Sequence, residues 1–205
     1  MIHVFAQSRL RAVVATVVVA ATATILALVA HESGAQGGVP DRATLPQKPI
    51  LENASAFVRA DLRVTATPRA IANLPADVAP HEGTVRELVT GLGRGNIAVY
   101  AWPSADGRVC FQTSLGSGGC QTNFFGDASL GVSDPDRVGA GLPAYVWGFV
   151  SDAVSSVNVV VDGKSRRASI RNNVAFLELA EHEYPDVIEF FTVRLKGGTV
   201  QTIDY

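Results

Sequence analysis

The densest group of side chains able to act as acids, bases or metal ligands is Glu181-His182-Glu183, with Asp186 close by. Imidazole and carboxylate groups transfer protons and bind zinc. The HExxH spacing that places two histidines on one helix face is absent from the sequence. Because Pro185 follows two positions after Glu183, we predict a solvated loop. The alternative is an acid/base or metal role for Glu181, His182 and Glu183.

A second group of carboxylates, Asp127, Asp134 and Asp136, offers the oxygen ligands that calcium prefers. The ligand alternation, central Gly and terminal Glu of an EF-hand are missing. Since Asp-Pro-Asp is also an ordinary turn sequence, we predict turns here, with these three residues as a candidate cation site.

No catalytic or cofactor signature stands out in the sequence. The loop Gly91-Leu92-Gly93-Arg94-Gly95 lacks both GxGxxG spacing and the GK[ST] of a P-loop, so a hairpin connection is favoured. The stretch Gly126-Asp127-Ala128-Ser129-Leu130-Gly131 misses the GxSxG pattern of a serine hydrolase by one position. We therefore predict no cofactor and no catalytic residue.

Aromatic side chains suggest a binding surface. Tyr100 and Trp102 lie on one predicted strand, with Trp102 at its end beside Pro103, and aromatic faces bind sugar rings through apolar contact. Trp147 lies within an apolar run and is predicted to belong to the core. Tyr100 and Trp102 are therefore the candidate ligand-binding residues.

Composition limits the class of protein. The 205 residues carry a formal net charge of -2, with 17 basic and 19 acidic side chains. This balance excludes a disordered polar chain and a basic nucleic-acid binder. A chain of this length can bury a sizeable core without depending on disulfides.

The N-terminal segment resembles an export signal. Arg9 and Arg11 precede the uncharged run 12–30, and small residues follow at Ser33-Gly34-Ala35. This order predicts a signal peptide over residues 1–35, cleaved after Ala35. The alternative is an uncleaved membrane anchor formed by residues 12–30, because the run is as long as the shortest membrane-spanning helices. Either reading predicts a secreted or extracytoplasmic protein, which contacts the membrane only if this segment stays uncleaved. The segment also accounts for much of the positive mean hydropathy.

The two cysteines predict one disulfide. Cys110 and Cys120 are separated by a loop whose second half is rich in glycine, and an exported chain meets an oxidising environment. Their number and spacing exclude a redox CxxC motif and a cysteine-rich zinc site.

Short runs with alternating apolar residues dominate the chain beyond Gly83. About nine such runs, separated by Gly, Asp, Asn and Pro, predict an all-β fold, an antiparallel Ig-like β-sandwich over residues 83–205. The predicted strands are 84–90, 97–102, 108–113, 145–150, 154–161, 165–171, 174–179, 187–195 and 199–203. For 84–90 a short helix with a capping box at Thr84-Val85-Arg86-Glu87 is the alternative.

Residues 36–82 predict an extended, Pro-rich arm. Thr67-Pro68 is typical of a helix N-cap followed by its first residue, so one short helix is expected over 68–74, ending before Pro75. Phe57, Val58, Leu62 and Val64 are expected to dock the arm on the β domain.

Several of these motifs resemble a group of exported proteins of high-GC bacteria. They are Thr67-Pro68 with Leu74-Pro75, Gly91-Leu92-Gly93 leading to 99–103, Gly107-Arg108-Val109-Cys110 with Gly119-Cys120, and the run 146–157. No activity is established for that group. The resemblance therefore implies export and the disulfide, and it implies no functional residue.

The sequence leaves three functions open. The first is a non-enzymatic exported binding or envelope-interaction module, whose partner is a glycan or protein of the envelope and not a nucleic acid. The second is a secreted hydrolase or metal-dependent enzyme using Glu181, His182 and Glu183. The third is a membrane-tethered sensor ectodomain.

Overall fold

The computed structural model of the chain describes residues 45–64, 66–133, 142–180, 183 and 187–204, all within the unit Val39–Tyr205. These residues form short antiparallel strands, so the predicted all-β class is confirmed. The strands are β1 (Gln47–Pro49), β2 (Arg86–Leu92), β3 (Ile97–Pro103), β4 (Val109–Thr113), β5 (Gly118–Gln121), β6 (Asn123–Phe125), β7 (Ala128–Ser133), β8 (Tyr145–Val150), β9 (Val154–Val161), β10 (Lys164–Arg167), β11 (Ser169–Arg171), β12 (Val174–Glu178), β13 (Ile188–Leu195) and β14 (Val200–Asp204).

The strands form three sheets stacked as a layered sandwich. A central sheet has the order β1-β6-β7-β8-β12-β11, a first outer sheet has β2-β3-β4-β5, and a second outer sheet has β10-β9-β13-β14. One hydrophobic core combines side chains of the central and first outer sheets, and another combines those of the central and second outer sheets. The central sheet is therefore covered on both faces.

Strand β8 shows why this sheet is central. All six of its residues, Tyr145–Val150, are buried. Its side chains alternate between the two cores: Trp147 and Phe149 lie in the first core, and Val146 and Val150 in the second. A continuous apolar run is typical of a strand buried on both faces.

Two sequence predictions about strands require correction. The strand predicted over 84–90 is β2, which spans Arg86–Leu92, so the alternative of a capped helix at 84–87 is wrong. The run 165–171, predicted as one strand, divides at Ala168 into β10 and β11. These two strands belong to different sheets, so this short run carries the chain from the second outer sheet to the central sheet.

Strand β13 departs from simple alternation because it contains a bulge. Its pairing with β9 shifts register between Ile188 and Phe190, so Glu189 is the extra residue. Ile188 is buried before the shift, and Phe191 and Val193 are buried after it. The bulge reverses which positions face the core, which explains the irregular apolar pattern of the sequence.

The arm is more helical than the sequence predicted. It contains one α-helical turn, α1 (Ile50–Asn53), and three 3₁₀ turns, at Ser55–Phe57, Ala60–Leu62 and Arg69–Ile71. The last of these is the expected short helix. It begins after Pro68 with no side-chain cap, so the predicted role of Thr67 as N-cap is wrong.

The arm is part of the folded structure. Strand β1 pairs with β6 in the central sheet, and Phe57 is buried in the first core. Ile71 packs with Trp102 and the disulfide on the outer face of the first outer sheet. Val58, by contrast, is 59% exposed, so it does not contribute the expected docking contact.

The Trp102 indole attaches the arm to β3. Its N–H donates to the Val78 carbonyl at 2.7 Å. We expect Trp102→Phe to lower the free energy of unfolding by about 1 kcal/mol, because it leaves this carbonyl without its donor. Limited proteolysis within 66–80 should become faster, whereas Trp147→Phe, which removes an indole bond elsewhere, should leave it unchanged. Equal cleavage of both variants would contradict this role for Trp102.

The predicted disulfide between Cys110 and Cys120 is confirmed. It joins β4 to β5 at the paired positions Cys110 and Cys120. Cys110 is fully buried, and both cysteines pack in the cluster with Ile71 and Trp102. The crosslink therefore supports the sheet face that the arm covers. Within the described part of the chain, no helix is long and apolar enough to span a membrane.

Candidate functional site

Asp127 holds four parts of the chain together. It lies in the Gly126-Asp127 turn between β6 and β7, and its side chain is 1% exposed. Lys48 of β1 donates to Oδ2 at 2.7 Å, Gln201 of β14 donates to Oδ2 at 2.8 Å, and the Ser151 hydroxyl donates to Oδ1 at 2.6 Å. Both oxygens of the carboxylate are therefore engaged by donors within the fold.

These donors determine the charge state of Asp127. Burial by itself would raise the pKa of the carboxyl, but hydrogen bonds from Lys48, Ser151 and Gln201 and the charge of Lys48 outweigh burial. The net effect lowers the pKa of Asp127 below its ordinary value. The group is therefore held as a carboxylate at neutral pH.

The candidate cation site is only partly described. Asp134 and Asp136 lie outside the described residues, and the Asp127 carboxylate is paired with the Lys48 ammonium at 2.7 Å. The described residues contain no group of three or more side chains suited to holding a metal ion. Asp127 serves the fold here, and a cation site with Asp134 and Asp136 stays a prediction.

The Glu181-His182-Glu183 cluster is represented by Glu183 alone, since Glu181 and His182 lie outside the described residues. The Glu183 carboxylate pairs with Arg166 of β10 and accepts the Ala180 N–H at 2.6 Å. Glu183 thus connects the end of β12 to the second outer sheet. The acid/base or metal role of the cluster stays a prediction.

The two aromatic residues proposed for ligand binding lie under the arm. Trp102 is 3% exposed, and Tyr100 packs against the same cluster. Burial raises the pKa of Tyr100, and the neighbouring Glu87 carboxylate adds to the shift. The structure places both side chains in the contact between β3 and the arm, where Trp102 has no ring face open to a sugar.

A different set of aromatic residues borders a pocket. This aromatic pocket lies between the first outer sheet and the central sheet and has a volume of about 200 Å³. Phe111, Trp147 and Phe149 form its aromatic wall, with ring centroids 4.8 to 6.0 Å apart in edge-to-face contacts. The remaining lining residues are Ser117, Ser129, Leu130, Gly131, Val132 and Gly148. The described lining therefore carries no charged side chain.

Hydroxyl groups give the pocket a polar side. The Trp147 indole N–H donates to Ser133 Oγ at 3.1 Å, and Ser133 Oγ lies 2.9 Å from Ser117 Oγ. The Ser129 hydroxyl donates to Gln121 Oε1 at 2.7 Å. These bonds fix the orientation of the Trp147 ring and hold Ser117 and Ser129 at the pocket wall. The pocket combines apolar ring surface with a few oriented polar groups, which is typical of small ligand sites.

Two glycines shape the pocket. A Cβ at Gly148 of β8 would lie 2.1 Å from the Ser129 carbonyl oxygen, so only glycine allows β7 and β8 to approach this closely. A Cβ at Gly131 of β7 would meet nothing within 4 Å. Because Gly131 pairs with Trp147, a side chain at 131 would extend over the Trp147 ring.

A second, wider groove of about 510 Å³ lies along the arm. Its described lining consists of Val64, Ala66, Thr67, Pro80, Glu82, Gly83 and Val85. This set contains no aromatic ring and one charged group. The aromatic pocket is the better candidate site, because its rings and hydroxyls converge on one small volume.

Sequence reasoning did not find the aromatic pocket. Phe111, Trp147 and Phe149 belong to two different sheets, and nothing in their spacing indicates that they meet. The available signal was glycine within apolar strands: Gly131 and Gly148 interrupt β7 and β8, and a strand glycine often marks a close backbone approach or a ligand.

Comparisons of the chain with protein-family models, with curated proteins and with solved structures found no match.

Proposed function

We propose that this chain is an exported, non-enzymatic binding module of the cell envelope, and that the aromatic pocket is its ligand site. The observation that carries the proposal is the convergence of Phe111, Trp147 and Phe149 with the Ser117 and Ser129 hydroxyls on about 200 Å³. The described lining offers no titratable side chain, whereas general acid–base chemistry at the pocket would require one. These groups suit recognition of a small uncharged moiety.

Export is supported by the N-terminal sequence pattern and is compatible with the disulfide. Intact-mass measurement of the protein recovered from its natural host distinguishes a released module from a tethered one. Loss of residues 1–35 is expected for release. Retention of the leader in a membrane fraction would support the tethered form instead.

The two tryptophans allow a direct binding test. The Trp147 indole N–H lies at the aromatic pocket, and the Trp102 indole N–H lies under the arm. In nitrogen-15 NMR spectra each gives its own signal. We expect a ligand to shift the Trp147 indole signal while the Trp102 signal stays in place. The probes are peptidoglycan fragments, N-acetylated sugars and capped short peptides.

Filling the pocket should weaken binding. We expect Gly131→Leu to weaken affinity at least about tenfold, or about 1.4 kcal/mol, because a side chain at 131 would occupy the space over Trp147. Gly197→Leu is the matched control: this turn glycine also has open space around its Cβ position, outside the pocket. Equal affinity of the two variants, or a probe that shifts only Trp102, would contradict the proposed site.

A further inference from the structure

Strand β7 has one partly unpaired edge. It pairs with β8 along its full length, from Ala128 to Ser133. On its other side it pairs with β6 at a single position, Ala128 with Phe125. Among the described strands, none pairs with the outer edge of β7 from Leu130 to Ser133. This stretch borders the aromatic pocket, because Ser129, Leu130, Gly131 and Val132 all line it.

The hydrogen-bond pattern shows which main-chain groups lie on that edge. The Ser151 N–H donates to the Asp127 carbonyl at 2.8 Å, which marks Asp127 and Ser151 as a hydrogen-bonded antiparallel pair. Because such pairs alternate with non-hydrogen-bonded pairs, Gly131 bonds to Trp147, and Leu130 and Val132 direct their N–H and C=O groups away from β8. Two donors and two acceptors therefore point away from β8 at strand spacing; Val132 is half-buried and Leu130 is 6% exposed.

We propose that this edge of β7 binds an extended peptide by strand addition, with one uncharged apolar side chain inserted into the aromatic pocket. The inference rests on the proposed function and specifies its ligand class. An extended peptide carries N–H and C=O groups with the same repeat as Leu130 and Val132, so its main chain can satisfy both residues.

The size and charge of the pocket select the inserted side chain. An apolar cavity of about 150 Å³ accommodates a benzene molecule. A volume of about 200 Å³ therefore accepts one side chain of the size of leucine or phenylalanine. The absence of a charged group from the described lining disfavours a charged side chain, which would lose its hydration without gaining a partner.

Amide hydrogen exchange tests the open edge in the unmodified protein. We expect the Leu130 and Val132 amides to exchange at least about tenfold faster than the Gly131 amide, which is bonded to β8. If all three amides are equally protected in the free protein, the edge is already covered and strand addition is excluded. That result would leave the pocket itself open to other ligands.

Binding is then measured with capped hexapeptides of threonine in which one position is valine, leucine or phenylalanine. We expect the best peptide to shift the Trp147 indole signal and to slow exchange of Leu130 and Val132, with no change at Gly131. Val132→Pro should weaken this peptide at least about tenfold, because proline removes one outward N–H without removing a bond to β8. Val132→Ala, which keeps that N–H, should remain within about threefold of the original affinity.

Each result separates strand addition from the broader function. A shift of Trp147 by peptidoglycan fragments or N-acetylated sugars alone, with exchange at 130 and 132 unchanged, would overturn strand addition and retain the pocket as a binding site. If no probe shifts Trp147, both proposals are wrong. Equal peptide affinity for Val132→Pro, Val132→Ala and the original protein would also overturn strand addition.

Discussion

Asp127→Ala is expected to lower the free energy of unfolding by about 3 kcal/mol. The substitution leaves the Lys48 ammonium, the Ser151 hydroxyl and the Gln201 amide without the carboxylate that accepts from all three. Removing one partner of a buried ion pair typically costs about 3–5 kcal/mol, but Lys48 is 35% exposed and can regain hydration. The expected loss therefore lies at the lower end of that range.

The effect of Asp127 depends on pH in a defined direction. Its pKa is lowered in the folded protein relative to the ordinary value of 3.8. A carboxyl with a lowered folded-state pKa contributes stability that is fully present above its unfolded pKa and is lost as the pH falls through its folded pKa. The difference in stability between the original protein and Asp127→Asn should therefore be constant above about pH 5 and shrink below pH 4.

Urea unfolding from pH 3 to pH 7 measures both effects. Asp61→Ala is the control, because Asp61 is an exposed carboxylate of the arm whose ion-pair partner, Arg59, is also exposed. This variant should unfold at the same urea concentration as the original protein. An Asp127 variant as stable as the Asp61 variant at neutral pH would show that Asp127 does not hold β1, β7 and β14 together.

Removing the disulfide is the second substitution with a large expected effect. Cys110→Ala with Cys120→Ala should lower the free energy of unfolding by about 3 kcal/mol, because the crosslink closes a loop with a sequence separation of 10. Both cysteines are replaced together so that no free thiol is left. Alanine is preferred to serine at 110, since Cys110 is fully buried and a serine hydroxyl would need a partner there.

Reduction of the unmodified protein with a thiol reagent provides the matching measurement without any substitution. The reduced protein and the double variant should both unfold at a lower urea concentration than the oxidised protein. Because the cysteines pack with Trp102, the Trp102 indole signal should change more than the Trp147 signal. An unchanged unfolding midpoint would show that the crosslink adds no stability.

Local patterns predicted most strands of the β domain. The apolar runs containing Tyr145–Val150, Val154–Val161 and Val174–Glu178 are long enough to register as strands without any tertiary information. Strands β5 and β7 were missed because glycine and serine give them little β propensity, and β6 was missed because it is only three residues long. Their strand geometry comes from pairing: β5 pairs with β4, β6 with β1 and β7, and β7 with β8.

The candidate site was the least predictable part. Tyr100 and Trp102 are aromatic residues of the kind expected at a binding surface. In the structure, however, the arm covers them through contacts with Ile71 and Val78. Carboxylate spacing singled out Asp127, yet its partners Lys48 and Gln201 are 79 and 74 residues away in the chain. Contacts at such separations leave no local pattern.

The amino-acid sequence alone determined the all-β class and the cysteine pair, because alternation and two nearby cysteines act over short distances along the chain. Tertiary structure decided how the strands divide among three sheets, which aromatic residues are covered and where a pocket remains. The physical reason is that Phe111 and Trp147 become neighbours only when two sheets stack. The partly unpaired edge of β7 is likewise a tertiary feature, because β6 pairs with it at one position only.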